Sequence, residues 1–135
     1  MNVLIICTGN TCRSPIAEGI LRAARPDILV RSRGLNAEEG APLSTGARQI
    51  LQDKGLLFSH EAHLLHQEDL MWADKIFVMT SAQLALLRSV FPAEEKKMAL
   101  ISPDDEDVFD PFSGGTAEYQ AAFSALETAV SERFL

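Results

Sequence analysis

The stretch from Val3 to Pro15 constrains this chain more than any other. Val3-Leu4-Ile5-Ile6 is a short apolar run of the kind that forms a buried strand. Cys7-Thr8-Gly9-Asn10-Thr11-Cys12-Arg13 follows, and Ser14-Pro15 then opens a pattern that carries Ile16, Ala17, Ile20, Leu21 and Ala24 at helical spacing. Ser14 reads as the helix cap, with Pro15 at the first helical position. A strand, a glycine turn and a helix in such close succession make the first half of a βαβ unit. That commits the chain to a parallel sheet covered by helices.

The same loop carries a chemistry. Gly9 lets the backbone turn tightly, and a loop curled in this way aims successive N–H groups at one point. The helix start adds free N–H groups and a positive dipole end. Arg13 supplies a guanidinium fork that matches two phosphate oxygens. This field favours the thiolate that a nucleophilic cysteine needs, which makes Cys7 the candidate. Each part alone has a plainer reading: Cys7 as a small buried hydrophobe, Gly9-Asn10 as ordinary turn residues, Arg13 as a surface charge. Only a phosphate-binding loop with a built-in nucleophile accounts for all of them together. Cys7 and Cys12 without paired histidines make a poor zinc site, so no metal is expected, and no cofactor.

Strand and helix patterns alternate through the remainder. Leu29–Ser32 is a strand ending at Gly34, residues 35–43 form a surface loop, and Ser44 or Thr45 caps a helix with Ala47, Ile50 and Leu51 inward. Lys54-Gly55 stops it. Residues 67–73 have room for one or two helical turns. Lys75–Met79 is the clearest buried strand, and Thr80 or Ser81 then caps a helix that presents Leu84, Leu87 and Phe91 and ends at Pro92. Met98–Ile101 is the fourth strand. Asp104-Asp105-Glu106-Asp107 reads as a solvated loop, and Thr116 opens a last helix with Tyr119, Phe123, Leu126 and Val130 on its apolar side. The expected fold is a three-layer α/β doubly wound sheet in one domain across 1–135, with helices on both faces. In such a sheet the ligand lies at the carboxyl ends of the strands, where Cys7 falls.

Composition narrows the partners. A formal net charge of −7 argues against nucleic acid, so a phosphate site here must be local to the loop. No apolar run reaches the ~18 residues of a membrane span, and the N-terminal run reads as a core strand rather than a leader, so no membrane partner is expected. Two cysteines, both inside the loop, suit a reducing cytoplasm. The sequence sets no oligomeric state.

Cys7 to Pro15 matches the signature Cys-x-Gly-Asn-x-Cys-Arg-Ser-Pro, Asp110-Pro111-Phe112 matches an Asp-Pro-aromatic signature, and Ala73-Asp74 precedes a strand ending at Met79. On these residues the chain resembles the low-molecular-weight protein tyrosine phosphatases along its whole length. The resemblance implies a four-stranded parallel sheet in the order 2-1-3-4, and metal-free hydrolysis of phosphorylated proteins through a phosphocysteine. It further implies that Cys7 attacks phosphorus while the Arg13 side chain and the amides of Thr8, Gly9, Asn10, Thr11, Cys12 and Arg13 hold the oxygens. Ser14 would hydrogen-bond Cys7, and Asp110 would protonate the leaving group and then activate water. Asn10, Ser32 and His60 would support the loop. His63 stands where the family often has arginine.

Three departures resemble the bacterial protein arginine phosphatases: Thr11 in place of an aliphatic residue, no large aromatic in 35–40, and Asp110-Pro111-Phe112-Ser113-Gly114-Gly115 without paired tyrosines. A phosphorylated guanidinium brings several N–H donors, which an apolar wall would leave unpaired at ~1–3 kcal/mol each. Thr11 and Asp110 offer acceptors, and Phe112 offers a face for a guanidinium plane. The expected substrate is therefore protein phosphoarginine, with phosphotyrosine as the alternative. Arsenate reduction is disfavoured because no cysteine follows Cys12, and a non-catalytic phosphate-binding or redox-sensing module is disfavoured by the intact Cys7, Arg13 and Asp110 set. Cys12 lies near enough in sequence to condense with an oxidised Cys7, a reversible redox role.

Overall fold

The computed structural model describes all 135 residues. Four strands, β1 (Asn2–Cys7), β2 (Leu29–Gly34), β3 (Lys75–Val78) and β4 (Met98–Leu100), form one sheet in the order β2-β1-β3-β4. Every pairing is parallel, as expected for strands joined by helical crossovers. The helices are α1 (Arg13–Ala24), α2 (Thr45–Asp53), α3 (Gln67–Trp72), α4 (Ser81–Val90) and α5 (Thr116–Phe134). No helix is long and apolar enough to cross a membrane.

Side-chain alternation along β1 builds two cores. Val3, Ile5 and Cys7 pack on one face with α1, α2 and α5, through Ile16, Leu21, Leu51, Phe123 and Leu126. Leu4 and Ile6 pack on the other with Leu70 of α3 and Leu87 of α4. A strand covered on both faces reads as an uninterrupted apolar run, which is why Val3–Ile6 stood out in the sequence. The fold and its strand order match the expectation.

Caps fall mostly where the residues predicted. Ser44 Oγ accepts from the Ala47 amide at 3.2 Å. Thr80 and Gln83 form a reciprocal capping box at α4. Two expectations need correcting. Ser14 is not the cap of α1: the helix starts two residues earlier than expected, at Arg13, the cap position is Cys12, and no side chain caps it. The reason is competition, because the Ser14 hydroxyl is engaged by Cys7 and Asn10. The acidic run is exposed, yet Asp107 is more than a solvated charge. Its Oδ1 accepts from the Ser81 amide at 2.7 Å, which sets an anionic group at the start of α4. A 3-10 segment, Pro92–Lys97, not foreseen from the sequence, delivers the chain into β4.

Candidate active site

The loop between β1 and α1 is held open by its neighbours. Gly34 at the end of β2 sits so close beneath it that a Cβ there would lie 2.8 Å from the Thr8 carbonyl oxygen. The Leu35 and Asn36 amides donate to the carbonyls of Cys7 and Thr8, each at 2.9 Å. With those carbonyls taken, the N–H groups of Thr8, Gly9, Thr11 and Cys12 donate to no atom of the protein. Four unspent donors beside a helix N-terminus are a cradle for an anion.

Asn10 carries the strained turn, with φ +57. Every polar atom it owns is used. Its amide donates to Cys7 Sγ at 3.3 Å, and its carbonyl accepts from His60 Nε2 at 2.8 Å. Its side-chain Oδ1 accepts from the His63 amide at 2.9 Å. Its Nδ2 donates to Ser14 Oγ at 2.8 Å and to Ser32 Oγ at 3.0 Å. Ser14, with that bond accepted, has its own proton free for Cys7 Sγ, 3.0 Å away. Two donors therefore converge on the buried sulfur. Ser32 passes its proton on to Glu18 Oε1 at 2.6 Å, and Glu18 pairs with Arg22 at 3.0 Å. Asn10, Ser14, Ser32 and His60 are thus brought together in one hydrogen-bond network.

Arg13 is buried, with one amino group donating to the Val108 carbonyl at 2.9 Å and the other 3.7 Å from Asp110 Oδ2. Val108 in turn donates its amide to Met79 at the end of β3. The guanidinium thereby ties the phosphate loop to the 110–115 segment. Asp110 is half exposed, and its Oδ1 accepts from the Phe112 amide at 3.0 Å. Cys7, Thr8, Gly9, Thr11, Cys12, Arg13, Asp110 and Phe112 surround one pocket of about 220 Å³. Asn10 and Ser14 lie behind it.

Several participants escaped the sequence reading. Gln83 Oε1 accepts from the Met79 and Thr80 amides, which orients Nε2 to donate to Thr8 Oγ1 at 3.0 Å. The capping pattern was visible, but the reach to Thr8 spans the fold. Glu18 sits within the apolar pattern of α1 and is buried only because Ser32 and Arg22 meet it. Tyr119 of α5 and Ser44 close around Cys12: the thiol donates to Ser44 Oγ at 3.1 Å, and the Tyr119 hydroxyl lies 3.5 Å from the sulfur. Burial, with the Cys12 contact adding to it, pushes the Tyr119 phenol up to about 12. His63 pairs with Glu39 at 3.0 Å. That bond, helped by the Leu64 amide, holds the Glu39 carboxyl below its usual range.

An anion cradle, a buried cysteine receiving two hydrogen bonds, a buried arginine and an overhanging aspartate define a phosphatase that works through cysteine. The chain belongs to the family described as low molecular weight phosphotyrosine protein phosphatase, whose model matches residues 2–134. A relative in Geobacillus stearothermophilus named protein-arginine-phosphatase is 38% identical over 95% of this chain and 90% of its own. The low molecular weight protein-tyrosine-phosphatase PtpB of Staphylococcus epidermidis is 31% identical over 98% of this chain and 96% of its own. Among solved structures, the arginine phosphatase YwlE from Geobacillus stearothermophilus superposes with a TM-score of 0.94 at 35% identity, covering 98% of this chain and 89% of that one. The protein is a cysteine-dependent protein phosphatase.

Proposed function

We propose that the protein hydrolyses phosphoarginine on protein substrates through a phosphocysteine at Cys7. The observation that carries the substrate is the pocket wall: the Thr11 hydroxyl and the Asp110 carboxylate stand beside a Phe112 ring that is 62% exposed. Two acceptors and one aromatic face suit a guanidinium, whose N–H groups need partners and whose plane stacks. The named activity of the Geobacillus stearothermophilus relative supports the same reading.

In the first step the Cys7 sulfur attacks phosphorus in line, and the bond from phosphorus to the guanidinium nitrogen breaks. Asp110 gives that nitrogen a proton. The free amides of Thr8, Gly9, Thr11 and Cys12, with the Arg13 guanidinium, hold the three equatorial oxygens, where charge gathers in the transition state. In the second step Asp110 takes a proton from water, the hydroxyl attacks phosphorus, and Cys7 leaves as thiolate. The hydrogen bond from Ser14 stabilises that leaving sulfur. Free thiols at Cys7 and Cys12 suit a reducing compartment such as the cytoplasm. A disulfide between them would first have to break the bond from Cys12 to Ser44.

The test uses the Asp110→Asn variant with a phosphoarginine peptide, acid quench and mass spectrometry. Phosphate on Cys7 is the expected result. Turnover without a trapped adduct, or full activity in Cys7→Ser, overturns the covalent route. A phosphotyrosine substrate is the second reading, favoured by the Staphylococcus epidermidis relative and by a Phe112 face that stacks a phenyl ring equally well.

A further inference from the structure

A second pocket, of about 300 Å³, opens beside the catalytic one, between α2 and the start of α5. The two back onto a common wall. Cys12 lines the catalytic pocket and Tyr119 lines the second, and their sulfur and hydroxyl lie 3.5 Å apart. The rim is continuous as well, because Gly114 and Gly115 of the second pocket are separated from Phe112 of the first by Ser113 alone. A polypeptide whose phosphorylated side chain enters the catalytic pocket crosses this rim. At ~3.3 Å per extended residue its near neighbours fall over the second opening.

We propose that this pocket is a substrate subsite that takes a lysine or arginine side chain close in sequence to the phosphorylated residue. The inference rests on the protein phosphatase reading and extends it from the phosphorylated residue to its flanks. The floor is the buried Ile50 and the Tyr119 ring, which lies so close to Gly46 that no Cβ fits between them. A floor fixed in this way offers a smooth apolar surface for methylene groups. At the mouth stands Asp53, exposed, with Oδ1 accepting from Gln49 Nε2 at 2.8 Å and Oδ2 engaged by no group of the protein. Glu118 adds a second negative charge at the rim, where it accepts from the Gly115 amide at 2.8 Å. No cation lines the pocket. Lys54, next to Asp53 along the chain, holds its ammonium 5.2 Å from the centre of the Phe123 ring, one turn further along α5.

These features select one class of occupant. A lysine or arginine lays its stem along Ile50 and the tyrosine ring and keeps its charged head at Asp53 in water. A glutamate in the same place meets two carboxylates. The charge pair is exposed, so its worth is modest, and with the stem contact the preference for lysine over glutamate is about three- to tenfold in kcat/KM.

The experiment compares the parent and Asp53→Lys on two matched peptide series, one bearing phosphoarginine and one phosphotyrosine. Each series carries a single lysine, alanine or glutamate at successive flanking positions. p-Nitrophenyl phosphate, which has no flanks, reports the catalytic pocket alone. The expected result is a lysine preference at one flanking position in every series that is turned over, erased or reversed in Asp53→Lys, with the p-nitrophenyl phosphate rate unchanged. A flat flank profile in the parent, or a preference that survives in Asp53→Lys, overturns the subsite. Turnover of phosphotyrosine alone, with the flank preference intact, instead supports the subsite and defeats the phosphoarginine reading.

Discussion

Asn10 spends every hydrogen-bonding atom it has on holding one residue of backbone at positive φ, and the cysteine beside it receives two of the resulting contacts. Thr11, next along, is spared that duty. The only hydrogen bond of its side chain is a long one to Cys12 Sγ at 3.8 Å, so the hydroxyl remains available to the pocket. Thr11→Ile removes that acceptor and adds bulk. Phosphoarginine turnover should fall about ten- to a hundredfold relative to phosphotyrosine, the cost of one unpaired buried donor. The measurement is kcat/KM for both peptides on parent and variant, and an unchanged ratio removes Thr11 as the determinant. At this scale the sequence was legible wherever a residue acts through its near neighbours. Cys7, Arg13 and Ser14 are local to one loop, and their types alone point to anion chemistry. Gln83 was not legible, because its amide is oriented by Met79 and Thr80 but spent on Thr8, at the far end of a crossover. Ser14 was misread as a cap because a hydroxyl before a proline fits both roles. Only the sulfur and the Asn10 amide beside it decide between them.

The elements converge on the loop from beneath as well as from its sides. Gly34 ends β2 directly under Thr8, and a methyl group there meets the Thr8 carbonyl and the Ala37 side chain, both at 2.8 Å. Gly34→Ala should therefore push the loop upward. Overpacking of this kind costs about 1–3 kcal/mol, and misplacing the cradle lowers kcat by about ten- to a hundredfold. Gly40→Ala is the control. Gly40 has φ +80 and open space around its Cβ position, so alanine there adds backbone strain of order 1 kcal/mol and leaves the p-nitrophenyl phosphate rate unchanged. Equal losses of activity in both variants would show that Gly34 matters only for stability. Strands and helices were legible in the sequence because each keeps one period over its length. The 3-10 segment at Pro92–Lys97 has no apolar period to read. The contact of Asp107 with α4 depends on a loop returning past Ser81, which local patterning does not encode.

Across the whole molecule, α5 fastens the core it shares with α1 and α2 to the catalytic loop through Tyr119. Its phenol keeps its proton to about 12, whereas in the unfolded chain it is released near the ordinary value of 10.0. Above pH ~10 the unfolded chain gains by ionising while the folded one does not, so this contribution is intact below that pH and is lost as pH rises toward 12. Alkaline unfolding followed by circular dichroism should steepen in this window, and Tyr119→Phe should flatten it. An identical alkaline profile in the variant would show that other groups govern the transition. The net charge of −7 leaves the phosphate cradle as a local island of donors in an acidic molecule, so recognition rests on the pocket wall rather than on a long-range field. The decisive measurement is kcat/KM of the parent enzyme on one peptide sequence carrying phosphoarginine or phosphotyrosine at the same position. Phosphoarginine hydrolysis should be favoured by about tenfold or more, the worth of one satisfied buried donor. A preference for phosphotyrosine would contradict the assignment and return the protein to the tyrosine-directed members of its family.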